Sequence, residues 1–278
     1  MLKAWLSPKW RIWIFLVLAN AAWIAAGWIW VDREKWLWIT PFALSINVLL
    51  LTYDQVLHFR QLGGTPLNGN DPWGLLKIVH ELSADLGVAA PQTFLLNTAS
   101  AQVFAYAKTR NRTRLFVSEG ALTLLTERQL RAVLTFQMLA IRDQYHVLNY
   151  WMAALLDMFL RVGRTVEKAF AFIFGWAPPL ASWFISPCMW LLRALLISPD
   201  DFRRLDQETA RHIDNPEDLA QALWKLDAYA QTKPWPEPWI FAHMCMVSPI
   251  SFKKSAGFVR VQPPLQGRIK TLIGRYPL

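Results

Sequence analysis

A chain of 278 residues that is 54% hydrophobic, holds 16 Trp and has a positive mean hydropathy of +0.21 is too apolar for an ordinary water-soluble protein, and its composition selects a membrane protein. The formal charge of +9 and pI near 9.8 would suit nucleic acid, but no Lys/Arg-rich run, zinc finger or aromatic-basic RNA motif accompanies them. Nucleic acid is therefore excluded as a partner, and the basic residues are assigned to orienting membrane segments. Cys188 and Cys245 lie far apart with no C-x-x-C spacing, so neither a disulfide framework nor a thiolate metal site is supported.

Residues 13–31 form an uncharged run of the length a helix needs to cross about 30 Å of hydrocarbon. The run is too long for the apolar core of a signal peptide, is crowded with Trp, and ends without a small-residue cleavage site. After the polar step Asp32-Arg33-Glu34-Lys35, a second run at 36–53 is long enough to return, so residues 1–60 read as an N-terminal transmembrane hairpin. Lys3, Lys9 and Arg11 precede it and Arg60 follows, while the charges of the connecting loop cancel. The positive-inside rule puts both ends in the cytoplasm.

Glycine, proline and asparagine over 61–71 mark a linker into the first half of a cytosolic domain, 61–145. Residues 73–86 read as an amphipathic helix closed by Gly87, and short alternating segments at 93–97, 102–107 and 114–118 read as strands of a small sheet. The spacing of Leu130, Val133, Leu134, Met138 and Ile141 predicts a helix over 125–143, opened by a Thr126/Gln129 capping box. On it positions 136 and 140 share a face one turn apart, the geometry by which two histidines of an H-E-x-x-H helix grip zinc. Here those positions are Phe136 and Ala140, with Gln137 between them. His80-Glu81 begins the same pattern but meets Ala84, and reads as an exposed helical pair.

Between 146 and 198 the chain becomes apolar again, broken by Arg161, Arg164, Glu167 and Lys168 and by Pro178-Pro179. Residues 150–160 are short for a full span and contain Asp157, which reads as paired in the interior; 180–197 are long enough and carry Arg193 near their end. The expectation is a second membrane hairpin, with amphipathic helices lying at the interface as the alternative. The second half of the domain, 199–278, is helical and polar, with a fresh helix from Asn215-Pro216 through Leu219, Leu223 and Leu226. The proline-rich stretch 234–239 reads as a rigid connector or recognition segment, and the C-terminal stretch 261–278 as an amphipathic helix with basic residues towards its end.

Several fragments fall in a telling order: Gln102-Val103-Phe104-Ala105, Glu119-Gly120-Ala121-Leu122 and Leu130-Arg131-Ala132-Val133-Leu134. They are followed by Asn215-Pro216-Glu217-Asp218-Leu219, Ala222-Leu223-Trp224-Lys225-Leu226 and Pro263-Pro264-Leu265-Gln266-Gly267-Arg268-Ile269. With the two hydrophobic hairpins, this order resembles the HtpX family of membrane zinc metalloproteases and its prenyl-endopeptidase relatives through most of the chain. The resemblance implies a mostly α integral membrane protein with a gluzincin-like α+β cytosolic domain, a small sheet and the second hairpin inserted in that domain. It also implies a multi-pass protein of the bacterial inner membrane whose soluble domain faces the cytoplasm.

Carried over by position, the family's zinc histidines fall on Phe136 and Ala140 and its general-base glutamate on Gln137. Its distant ligand glutamate falls near Phe202, or Arg204 if the register slips, and its aspartate matches Asp206; the histidine of its T-H-P-P turn becomes Gln262. Phenyl and methyl groups offer zinc no lone pair, and a glutamine amide does not take a proton near neutral pH. The two Phe side chains instead suit a filled cavity, each burial being worth roughly 1.5–3 kcal/mol. The resulting expectation is a pseudoenzyme rather than an enzyme, without zinc or another cofactor. It would act by binding, as a scaffold, subunit or regulator of an inner-membrane complex, with the lipid bilayer and another membrane protein as partners. Gln102, Val103, Phe104 and Ala105 match the family's substrate-pairing edge strand, which here either receives a peptide or is covered by its own chain. The alternative is a membrane metalloprotease acting on membrane-protein substrates, its ligands relocated among His146, His212, Glu208, Asp206 and His243. A transporter component is a third reading that rests on membrane content alone.

Overall fold

A computed structural model describes residues 8–30, 63–69, 71–107, 109, 112–176, 196, 198–235, 239–248 and 262–274. Helix α1, Pro8–Trp30, covers most of the first predicted span, whereas the second, 36–53, and nearly all of 180–197 lie outside the described residues. Among the described residues no helix is long and apolar enough to cross a membrane. The fold is mostly helical with a small mixed sheet.

The sheet runs β1 (Gly64–Pro66), β2 (Gln92–Leu96), β4 (Arg114–Ser118), β3 (Val103–Tyr106), with β2 and β4 parallel and both outer pairs antiparallel. Its register sets Phe94, Phe116 and Phe104 side by side, and their rings stack at 5.3 and 5.2 Å between centroids. Such a row adds about 0.5–1.5 kcal/mol per pair beyond the apolar area it buries. Three strands match the alternating segments of the sequence; β1 lies inside the predicted linker. A three-residue strand containing proline has no alternation to display, and it exists only because β2 pairs with it; proline is tolerated there because β1 is an edge.

Helix α2, Leu75–Asp85, is opened by the Asp71 carboxylate, which accepts from the Leu76 N–H at 2.6 Å, and ends at Gly87, whose φ of +62° is costly for other residues. Ser118 then caps α3, Glu119–Leu124, while its Oγ also accepts from the Gln102 N–H at 2.7 Å, tying the start of β3 to the helix. Helix α4, Glu127–Arg142, has both hydrogen bonds of the Thr126/Gln129 capping box and contacts β3, α2 and the next three helices, α5 (Tyr145–Phe174), α6 (Pro199–His212) and α7 (Pro216–Thr232). A 3-10 helix (Trp239–Met244) and α8 (Leu265–Ile273) complete the described elements.

Helix α5 departs from the sequence reading. The polar patch at Arg161, Arg164, Glu167 and Lys168 does not interrupt it; those residues are helical, and the chain runs unbroken to Phe174. Charge changes what a helix faces but does not break its backbone, and no proline or strained glycine stands there. Asp157 is buried and bonded to Arg161 at 2.6 Å, one helical turn on. Trp235 of the proline-rich stretch is buried against Phe104 and Phe241, while 236–238 fall outside the described residues.

Candidate functional site

The i, i+4 spacing of α4 turns Phe136 and Ala140 towards α6, which returns Phe202 and Leu205. With Gln137, Tyr145, Asn149, Asp201, His243 and Met244 these line a narrow cleft that opens to solvent and encloses only about 30 Å³ of free room. Of the two residues matched to the distant ligand position, Phe202 lines the cleft. Arg204 points to the rim, where it donates to Asp143 at 3.0 Å and to the Tyr145 hydroxyl at 3.1 Å.

Behind the two Phe rings stands Arg268 of α8, 1% exposed. Its Nε and Nη2 each donate to one oxygen of Asp206 at 2.7 Å, and its Nη1 donates to the Met246 carbonyl. The guanidinium carbon lies 5.8 Å from the centroid of Phe136 and 5.5 Å from that of Phe202, within cation–π range of both. The pairing was not legible in the sequence: Arg268 lies in the fragment 263–269 and Asp206 at the position matched to the family's aspartate, but the two are 62 residues apart.

Gln137 joins the cleft to the sheet. Its Nε2 donates to the Val103 carbonyl at 3.0 Å. Because the Ser118 N–H bonds the Gln102 carbonyl, the alternation of an antiparallel pair turns the polar groups of Val103 and Ala105 away from β4. The outward edge of β3 thus carries the Val103 carbonyl on Gln137, then the Ala105 amide, then the Ala107 N–H donating to the His146 carbonyl at 3.3 Å. Gln102, Val103, Phe104 and Ala105 are buried, main chain included, at 3% exposure or less.

A second polar node closes the other end of the cleft. Arg11 of α1 reaches across 190 residues of sequence to Asp201, with bonds of 2.6 and 3.1 Å, and the Tyr145 hydroxyl donates to the same carboxylate at 2.7 Å. Burial by itself would push the Asp201 carboxyl up, but the hydrogen bonds and charge of Arg11, together with the Tyr145 and Ser198 donors, outweigh it and hold the group below the usual carboxylate range. Burial, reinforced by the Asp201 charge, pushes the Tyr145 phenol up. A carboxyl with a lowered native pKa contributes stability that is complete above its unfolded value, about 3.9, and is lost as pH falls through the folded value. The stability gap between the parent and an Asp201→Asn variant is therefore expected to stay constant above about pH 5 and to shrink in acid, which denaturant titrations over a pH series measure.

The fit to zinc can be judged from the donors themselves. Phe136, Ala140 and Phe202 have no lone pair to give, and both oxygens of Asp206 are taken by Arg268. Nor do the relocated candidates converge. Glu208 pairs with Arg142, His212 Nδ1 faces its own helix's Glu208 carbonyl, and His243 Nε2 lies 3.0 Å from the Asn149 carbonyl; His146 is buried on α5. His80 Nδ1 likewise faces the Leu76 carbonyl of its own helix, and Glu81 pairs with Arg131. Among the described residues no group of three His, Cys, Asp or Glu could hold a metal ion. These residues do not fit zinc.

No protein-family model matches the chain. Among curated proteins it is similar to "Protease HtpX homolog" of Desulfatibacillum aliphaticivorans, 24% identical over 84% of this chain and 79% of the relative. It is likewise similar to the protein of the same name from Pelotomaculum thermopropionicum, 22% identical over 94% of this chain and 97% of the relative. A third, from a Sulfurovum species, is 28% identical over 83% and 86%. These names overturn the expectation that the chain is not an enzyme, because they point to an enzyme family. With its motifs in the family's order and these relatives aligned along most of its length, the chain is similar to the HtpX proteases as a whole and not in one segment alone.

Proposed function

We propose that this protein holds polypeptide segments in the cleft between α4, α6 and the outward edge of β3, with peptide-bond cleavage as the activity its relatives' names put first. The observation that carries the reading is Gln137, which lines the cleft and also bonds the Val103 carbonyl, so that cleft and strand edge adjoin. An extended segment lying there would meet a wall of Phe136, Phe202 and Leu205 for its apolar side chains. Any hydrolysis would draw on groups other than the side chains at 136, 140 and 202.

The setting proposed is the bacterial inner membrane, with membrane proteins as the source of the bound segments and a larger membrane complex as the place of action. Exposed Trp10, Trp13, Val17 and Leu18 on α1 and Phe172, Ile173, Phe174 and Trp176 at the far end of α5 support it, since such side chains are costly to leave in water.

The test is photocrosslinking from a benzoylphenylalanine placed at Leu205 in the full chain, purified in detergent and offered unfolded β-casein. Crosslinks that an excess of unlabelled casein suppresses are expected, and an absence of casein crosslinks would overturn the reading. The same samples, followed for casein fragments with and without a chelator, separate cleavage by a metal-dependent peptidase from retention without cleavage.

A further inference from the structure

The two halves of α5 face different surroundings. From Tyr145 to Asp157 the helix is buried in the core, apart from the half-buried Asn149, whereas from Arg164 to Trp176 every residue is exposed except the half-buried Glu167. That exposed segment has two unlike sides. Three- and four-residue steps place Arg164 and Lys168 on one side and Val166, Phe170, Ile173 and Phe174 on the other. Ile173 and Phe174 are 67% and 58% exposed, and the rings of Phe170 and Phe174 lie 5.3 Å apart, so the apolar side is continuous. Arg161 spends its charge on Asp157 at 2.6 Å. Arg164 and Lys168 have no carboxylate partner among the described residues, and Glu167 stands about a quarter-turn away from them.

Charge selects the occupant of this surface. A bilayer with anionic phospholipids satisfies both sides at once, taking the apolar side chains at the acyl boundary and the cations among its phosphates. Crossing the bilayer does not suit α5. From Lys168 to its end at Phe174 the helix gains only about 9 Å, against about 30 Å of hydrocarbon. A crossing would also carry Asp157, Arg161, Arg164, Glu167 and Lys168 at depth, where charge is costly. We propose that residues 164–174 of α5 dock in the interface of an anionic bilayer, with Val166, Phe170, Ile173 and Phe174 in the outer acyl layer and Arg164 and Lys168 on phospholipid phosphates. For α5 this decides between a spanning hairpin and an interfacial helix. The inference rests on the membrane setting proposed above and is independent of the polypeptide-binding reading.

Contact quenching in vesicles tests this. The full chain with Ile173→Cys is labelled with bimane in a Cys188→Ser background, Cys245 being fully buried. It is reconstituted in phosphatidylcholine with or without phosphatidylglycerol, together with nitroxide-labelled lipids. With phosphatidylglycerol, a nitroxide just below the headgroup is expected to quench the label more strongly than one at the acyl end. Arg164→Gln with Lys168→Gln is expected to lower the docked-to-free ratio about 20-fold, at roughly fivefold per basic residue, and leaving out phosphatidylglycerol to lower it likewise. A second label, at Leu18→Cys on α1, reports whether the protein sits in the bilayer at all. Quenching at position 18 without quenching at 173 would overturn the proposal and leave the membrane setting standing, while quenching at neither would overturn both. Stronger quenching at 173 by the acyl-end nitroxide would overturn it in favour of a spanning helix. Shallow quenching indifferent to phosphatidylglycerol and to the double variant would overturn the phosphate contacts of Arg164 and Lys168.

Discussion

Asp206→Asn lowers the unfolding midpoint by about 10 °C, on the order of 3–5 kcal/mol of stability. Both partners of the Asp206–Arg268 pair are 1% exposed, so solvent does not screen the loss. The asparagine amide keeps one acceptor but no charge, and the guanidinium is left in the core against two rings and a carbonyl. Restoring the balance by removing the charge as well, in Asp206→Asn with Arg268→Met, recovers part of the loss, because the larger cost lies in the stranded cation rather than in the missing bond. Thermal or denaturant unfolding of the three variants in detergent measures this. An Asp206→Asn midpoint within a degree or two of the parent would mean that the cation is not confined as described.

Gly120→Ala is expected to be as damaging, at about 3 kcal/mol or more, for a steric reason. A Cβ at 120 would stand 2.2 Å from the Ala99 carbonyl oxygen, 2.7 Å from its carbon and 2.9 Å from the Ser100 carbonyl carbon. All three obstacles are main chain, so no side chain can rotate away. The loop that carries them leads from β2 into β3, and the Gly120 N–H is itself bonded to the Thr98 carbonyl. Displacing it would shift β3 against Gln137 and open the cleft wall. Gly267→Ala is the matched control: nothing lies within 4 Å of its added methyl, and an alanine inside α8 is expected to gain up to about 1 kcal/mol. Comparing folded yield and unfolding midpoint of the two variants isolates close approach from the general cost of replacing glycine.

The parts of this fold that were legible in the sequence are those whose signal is local. Helix α4 announces itself through a 3.6-residue repeat and a three-residue capping box, and α7 through Asn215-Pro216. Strands β2, β3 and β4 show alternation. What could not be read is what depends on a partner elsewhere: β1 on β2, the Arg11–Asp201 bond across 190 residues, and the Arg268 site. Counting by family pattern located Phe136, Gln137, Ala140 and Phe202 and suggested that the Phe rings fill space. It could not reveal that they share a cation, because the ring contacts depend on how α8 returns to α4 and α6. The enzyme question was misjudged for a related reason: three missing side chains describe one chemistry, while the relatives' names describe the whole protein.

Helix α5 has a mechanical consequence. Its 30 residues make a rod about 45 Å long at 1.5 Å per residue. Tyr145 and Asn149, at one end, form part of the cleft rim, and Phe172 and Phe174 stand at the other. A tilt of only 5° about the cleft end sweeps the far end by about 4 Å on a rod of that length. Because the helix is unbroken between them, any tilt imposed at the aromatic tip would turn Tyr145 and Asn149 at the cleft through the same small angle.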